Sequence, residues 1–256
     1  AADRLYHFFW HEYADWYIEL VKPRLLSDGL PRDQAVAVLL EVHDQLLRML
    51  HPFIPFVTEE IWQALPQRPD DGRAPGKDAQ TITLTRFPSA NADWHDEQAV
   101  SVMGLLQEVI TTVRTVRSEW GVPPSRMITA VVEGAEPDER ALLELHGEHV
   151  RRLAGLELLE FADSVPRNPD TVRRVVRSFR LNIPLAGIVD RSKETARVER
   201  SLEKLVKQRG ALQAKLANPA FVSRADPAVV RQTQTQEEAI GQHQEKLEHI
   251  LRELDR

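Results

Sequence analysis

Arg114 and Arg117 stand one helical turn apart in VITTVRTVRSEW, close enough for two guanidinium groups to grip neighbouring phosphates or read a base edge together. The simpler reading is a surface pair bonded to Glu108, Glu119 or water. Lys22 and Arg24 flank Pro23 where the first predicted helix ends, and they offer exposed cationic groups. Residues 191–216 carry 8 Lys and Arg against 3 Glu. Within them Arg197, Arg200, Lys204, Lys207 and Lys215 suit salt-dependent contact with the backbone of a polyanion. Pairing with Glu on a facing helix is the competing use, and such exposed pairs contribute little. Arg173, Arg174, Arg177 and Arg180 form a further basic patch, for which both uses stand open.

Other chemistry is less well supported. His7, His11 and Asp15 recur every four residues, a spacing that places three metal-ligand types on one helix face. The Glu of a zinc-protease motif is not in place, so a solvated polar face is expected; His146 and His149 read the same way. Gly72 to Lys77 falls one residue short of a phosphate-binding loop, lacks its Ser or Thr, and follows no predicted strand. The aromatic stripe Leu5, Phe9, Tyr13, Trp16, Leu20 can stack unpaired bases. At helical spacing it reads first as core, with Phe9 and Trp16 buried.

These groups need helices to hold them. Residues 1–66 read as three helices, the second and third joined at the corner LLRMLHPFIPFVTEEIWQAL. Pro52 cannot continue a helix, whereas Pro55 suits the first turn of a new one. Phe53, Ile54 and Phe56 are expected to pack the elbow. Residues 67–80 form a polar Pro/Gly-rich loop, and TITLTRF alternates like a short edge strand. A long helix is predicted from about Asp96 to Trp120, stopped by Gly121, Pro123 and Pro124.

Beyond it, MITAVVEG, LELLEF and TVRRVVRSFRLNIPL read as strands around a helix at 137–155, the last pair turning near Arg177-Ser178. From Arg191 the pattern becomes heptad, with seam positions Val198, Leu202, Leu205, Arg209, Leu212 and Leu216. After NPAFVSRADP the seam resumes at Val229, Thr233, Gln236, Ile240, His243, Leu247, Ile250 and Leu254. An antiparallel hairpin pairs the two arms, Leu216 with Val229, Arg209 with Gln236 and Val198 with Leu247. Each arm is about 40 Å long. The expected fold is mainly α, with a helical bundle over 1–126, a small α+β module over 127–190 and a coiled-coil hairpin over 191–256.

Composition narrows the class. The chain has 256 residues, enough for two or three domains, and no cysteine, which excludes disulfides and Cys-ligated zinc. No apolar run approaches the roughly 18–20 residues of a membrane span, and the N-terminus lacks a signal-peptide pattern. Its first residue is Ala, as in an excised piece. The net charge of −6 conceals a polarity: residues 1–166 sum to −12 and residues 167–256 to +6. A basic end fits an anionic partner reached locally, or equally a solvated coiled-coil surface.

Three motifs add a resemblance covering essentially the whole chain. LHPFIPFVTEEIW and the upstream FFWHEYADWYIELVKPRL resemble the anticodon-binding helical domain of the aminoacyl-tRNA synthetases for valine, isoleucine, leucine and methionine. VRTVRSEWGVPPSRMI resembles the segment following that domain, and LNIPLAGIVD with KLANPAFVSRADPAVV resembles the C-terminal arm of the valine group. The resemblance implies an N-terminally truncated anticodon-binding domain and a tRNA-binding arm that clamps the tRNA elbow. It implies a valine-accepting tRNA and the catalytic part of the same synthetase as partners, a cytoplasmic monomer, and no membrane. It predicts no cofactor or metal here, with ATP and Mg confined to a catalytic domain. The His-Ile-Gly-His and Lys-Met-Ser-Lys-Ser signatures of that domain do not occur in the sequence, Arg191-Ser192-Lys193 being a faint echo of the second. The chain is therefore expected not to activate valine by itself. A free-standing coiled-coil scaffold is the alternative. It calls for an apolar outer face on the hairpin, where the sequence places charge.

Overall fold

The computed structural model describes residues 1–66, 81–188 and 191–254. The loop 67–80, with its near-match to a phosphate loop, lies outside the described residues, as do the side chains of Arg191 and Lys193. The chain forms two compact units, Ala1–Glu97 and Gln98–Arg256.

In the first unit, helix α1 (Ala2–His7) continues through a π-helical stretch, Phe8–Ile18, into α2 (Glu19–Leu25). The wider i→i+5 turns make side chains spaced for 3.6 residues drift around the axis. The expected stripe is blurred as a result: Tyr13 is buried, whereas Phe9 and Trp16, expected in the core, are half-buried. Tyr13 donates its hydroxyl to Leu39 O at 3.4 Å, and burial, with Tyr17 nearby, raises its pKa to about 12.

Helix α3 (Leu30–Leu50) begins after Gly29, whose φ of +73° favours glycine, with Pro31 in its first turn. It stops at the corner, and Pro55 opens α4 (Pro55–Ala64). Hydrogen bonds rather than packing make this elbow. Phe53, Ile54 and Phe56 are exposed, Phe56 by 89%. That corrects the expected packing, because the two prolines and the tight backbone turn between them direct these three residues outward. The polar side holds instead. Thr58 is buried and donates to Ile54 O at 2.9 Å, while the His51 ring bonds Thr58 at 2.8 Å and Thr83 at 2.9 Å. On the inner side Leu47, Trp62 and Ile82 cluster with Leu65. Asp44, also buried, accepts from Trp62 Nε1 at 2.8 Å and from Arg48 at 2.6 Å.

TITLTRF is not an edge strand. Thr81 caps a single 3-10 turn, Ile82–Leu84, and no strand is described in this unit to pair with it. Glu59 of α4 anchors the turn by accepting from Thr81 Oγ1 at 2.8 Å and from Ile82 N–H at 3.1 Å.

The second unit is built on α5 (Glu97–Glu119), whose Leu105, Leu106, Val109, Ile110, Val113 and Val116 are buried. A four-stranded sheet follows, ordered β2-β1-β4-β3. Strand β1 (Ile128–Glu133) pairs parallel with β2 (Leu156–Ala162) and antiparallel with β4 (Phe179–Pro184), which pairs antiparallel with β3 (Thr171–Val176). The helix expected at 137–155 is broken into α6 (Pro137–Leu145) and α7 (Gly147–Ala154) at His146. An 18-residue stretch of α5 reaches a mean hydropathy of 1.2, long and apolar enough by composition alone to cross a membrane, although Glu108 and Arg114 interrupt it. Its buried apolar stripe is that of a core helix.

The hairpin consists of α8 (Arg191–Ala217), a short α9 (Pro219–Arg224) and α10 (Pro227–Leu254). Pro219 starts a helix rather than merely ending one, with Asn218 capping it. The seam on α10 is partly out of the expected phase. Val229, Gln236 and His243 are exposed, while Val230, Glu237 and Gln244 turn inward by one residue. Arg209 accordingly meets Glu237 at 2.6 Å and Gln244 at 3.0 Å rather than Gln236, and Gln213 joins Glu237 at 2.8 Å.

Candidate nucleic-acid interface

The arginine pair on α5 does not form a joint clamp. Arg117 is only 8% exposed and gives its guanidinium to the carbonyls of Gly155 (2.9 Å), Pro123 (2.8 Å) and Pro124 (3.2 Å). It locks the end of α5 to the start of β1 and to the turn before β2, and burial lowers its pKa. This corrects its expected role at a ligand surface. Arg114 is exposed, and its Nε donates to Leu153 O at 2.9 Å.

The basic patch on the module is largely employed within the fold. Arg177 forms a forked pair with Glu108 at 2.9–3.1 Å, and that bonding raises its pKa. Arg174 reaches Glu119 at 3.0 Å, and Arg173 donates to Val165 O and Pro166 O, both at 2.8 Å. Arg180 lies 3.8 Å from Glu133 with 61% of its side chain exposed. The hairpin β3–β4 is thereby tied to α5 through ion pairs.

Lys22 is exposed and pairs with Glu19, one turn earlier. Arg24 is exposed and donates to Gln34 Oε1 at 3.4 Å. In the same helix His11 Nδ1 lies 3.5 Å from Asp15. Among the described residues no three His, Cys, Asp or Glu side chains group as metal ligands.

On α8 the geometry is more orderly. Arg197, Arg200, Lys204, Lys207 and Lys215 are all exposed. At about 100° per residue they fall within an arc of roughly 80°, well away from the seam, and run for about 27 Å. Arg197 reaches Glu119 O at 2.9 Å and Arg200 bonds Ala196 O at 2.9 Å. Lys207 pairs with Glu203 at 2.7 Å, both well exposed, and Lys215 lies 4.6 Å over the Phe221 ring. Those of Arg200, Lys207 and Lys215 are weak surface commitments, which leave their charge available to an anionic partner. The result is a straight cationic rail on one flank of a rod.

The chain belongs to the family of tRNA ligases: the family model for the anticodon-binding domain of tRNA ligase matches residues 1–132. Residues 190–255 match the valyl tRNA synthetase tRNA binding arm. Similar relatives are the valine--tRNA ligases of Symbiobacterium thermophilum (34% identical, covering 98% of this chain and 29% of the relative) and Nitratidesulfovibrio vulgaris (36%, 98% and 27%). That of Thermotoga maritima is 34% identical over 100% of this chain and 27% of its own. Within the family, then, the chain is a C-terminal region of valyl-tRNA synthetase type. It spans less than a third of the length of these curated relatives.

Proposed function

We propose that these 256 residues form the tRNA-binding part of a valine--tRNA ligase, gripping tRNA on its anticodon side and at its elbow while another part of the enzyme charges it. In this reading residues 1–126 serve the anticodon side, 127–190 are the linker module and 191–256 the arm. The observation that carries the reading is the cationic rail of α8, held off the seam on a hairpin matched to a tRNA-binding arm. Rod geometry and backbone-type electrostatics suit an RNA elbow, where phosphates rather than base edges are presented. Lys22, Arg24 and Arg114 are the exposed cations we assign to the anticodon side. The partners are a valine-accepting tRNA and the catalytic part of the same synthetase, where ATP and Mg belong. We place the protein in the cytoplasm as a monomer. The scaffold alternative loses support because the outer flank of α8 is charged.

The test is binding of the purified chain to a valine-accepting and an unrelated tRNA across a salt series. Lys204→Ala with Lys207→Ala is expected to weaken both complexes and to lower the salt slope by about 1–2, one for each phosphate no longer neutralised. Arg114→Ala is expected to reduce the preference for the first tRNA. Absence of binding at low salt, or an unchanged slope in the lysine variant, overturns the reading.

A further inference from the structure

The second unit contains a hollow of about 720 Å³ that is separate from the rail on α8. It is bounded by β3, by the connection leading into it, and by Trp120 at the end of α5. Four arginines line it, Arg167, Arg173, Arg174 and Arg180, together with Asn168. No carboxylate among the described residues does. Glu119 offsets Arg174 and Glu133 lies at 3.8 Å from the mostly exposed Arg180, leaving a net positive basin. Arg173 is held in place by two main-chain carbonyls, which fix its fork without cancelling its charge. Arg167 is exposed and makes no bond among the described residues.

Trp120 supplies an independent observation. It is 5% exposed, and its indole Nε1–H is enclosed without an acceptor among the described residues. Buried donors are nearly always satisfied, so an orphan of this kind calls for an explanation. Trp120 is also a wall of a second hollow of about 210 Å³, shared with Pro169, Val172 and Leu185. A group offering only acceptor oxygens suits the arginine-lined wall of the larger hollow, beside which Trp120 stands as a reporter.

We propose that this hollow is a binding site for a phosphate group, carried by an RNA backbone or by a free phosphate species. The RNA source rests on the proposed function; the site's phosphate chemistry does not. The test uses the full chain and two probes. In a nitrogen-15 spectrum the Trp120 indole resonance, assigned with Trp120→Phe, is followed while inorganic pyrophosphate is added. It is expected to shift with saturation, and Arg167→Ala with Arg180→Ala, both exposed positions that spare the core, is expected to weaken that binding at least ten-fold. The Lys204→Ala, Lys207→Ala variant should leave it unchanged. In parallel, the arginine variant is titrated with tRNA. A salt slope lowered by about 1–2 assigns the site to backbone phosphate. An unchanged slope together with a pyrophosphate shift assigns it to free phosphate. No indole shift at millimolar pyrophosphate together with an unchanged tRNA slope overturns the proposal. A chain that binds no tRNA at all defeats the proposed function, and the pyrophosphate arm alone then decides the site.

Discussion

Arginine is used in two opposite ways in this chain, and the difference lies in what each guanidinium can reach. Arg117 satisfies three carbonyls from a buried position. Arg117→Ala is therefore expected to cost roughly 2–4 kcal/mol in urea unfolding, because the carbonyls lose a charged donor. The exposed Lys204→Ala should stay within about 0.5 kcal/mol of the parent in the same measurement. Asp44 is a second concealed pivot, holding Trp62 and Arg48. Asp44→Ala strands a buried indole N–H and a nearly buried cation, and should cost about 3 kcal/mol or more by the same assay. The role of Arg117 was partly legible in the sequence. It stands four residues after Val113 and three before Trp120, on the apolar stripe of its own helix. Arg114 is out of phase with that stripe. Arg167 offered no such signal, being one cation in a Pro/Asn-rich turn whose importance depends on strands distant in sequence.

Among elements, long helices were readable because a 3.6-residue period accumulates over many turns, as in α3, α5, α8 and α10. Short segments were not. TITLTRF satisfies a two-residue alternation, but so short a run cannot reveal whether a partner strand exists. The seam of α10 failed for a related reason. Gln236 and Glu237, like His243 and Gln244, are polar at both candidate phases, so pattern alone cannot choose between them. Packing chose the phase in which Glu237 and Gln244 surround Arg209. Gly241 makes room there, since a Cβ on it would lie 3.0 Å from the guanidinium carbon. Replacing Arg209 and Glu237 together by Leu is expected to raise the arm's stability by about 1–2 kcal/mol in thermal unfolding. Replacing Glu237 alone should lower it. The turn anchored by Glu59 responds to acid. Burial opposes ionisation of this carboxyl, but bonds from Gln63, Thr81 and Ile82 outweigh it and hold its pKa below the usual carboxylate range. The anchor is thus fully effective above about pH 4.3. It is lost as pH falls through the depressed folded value, where exchange of the Ile82 amide should accelerate.

For the molecule as a whole, charge and element order carried most of the interpretation. An acidic body with a basic C-terminal third pointed to local rather than global attraction for an anion, and the rail on α8 gives that a physical form. The division into compact units was less accessible. α5 reads as the end of the first domain by resemblance, yet it folds with the sheet module, because its cross-links run to Gly155, Arg174 and Arg177. The hairpin's burial is also unevenly distributed along its length. At its base Val198, Leu247, Ile250 and Leu254 are buried, whereas towards the tip Leu216 is half-covered and Val229 exposed. Opening should therefore proceed as a zipper from the tip, with amide protection rising stepwise towards the base. An arm built in this way has a rigid root and a pliant end. Its outer turns can settle against a curved surface without disturbing the domain that carries them.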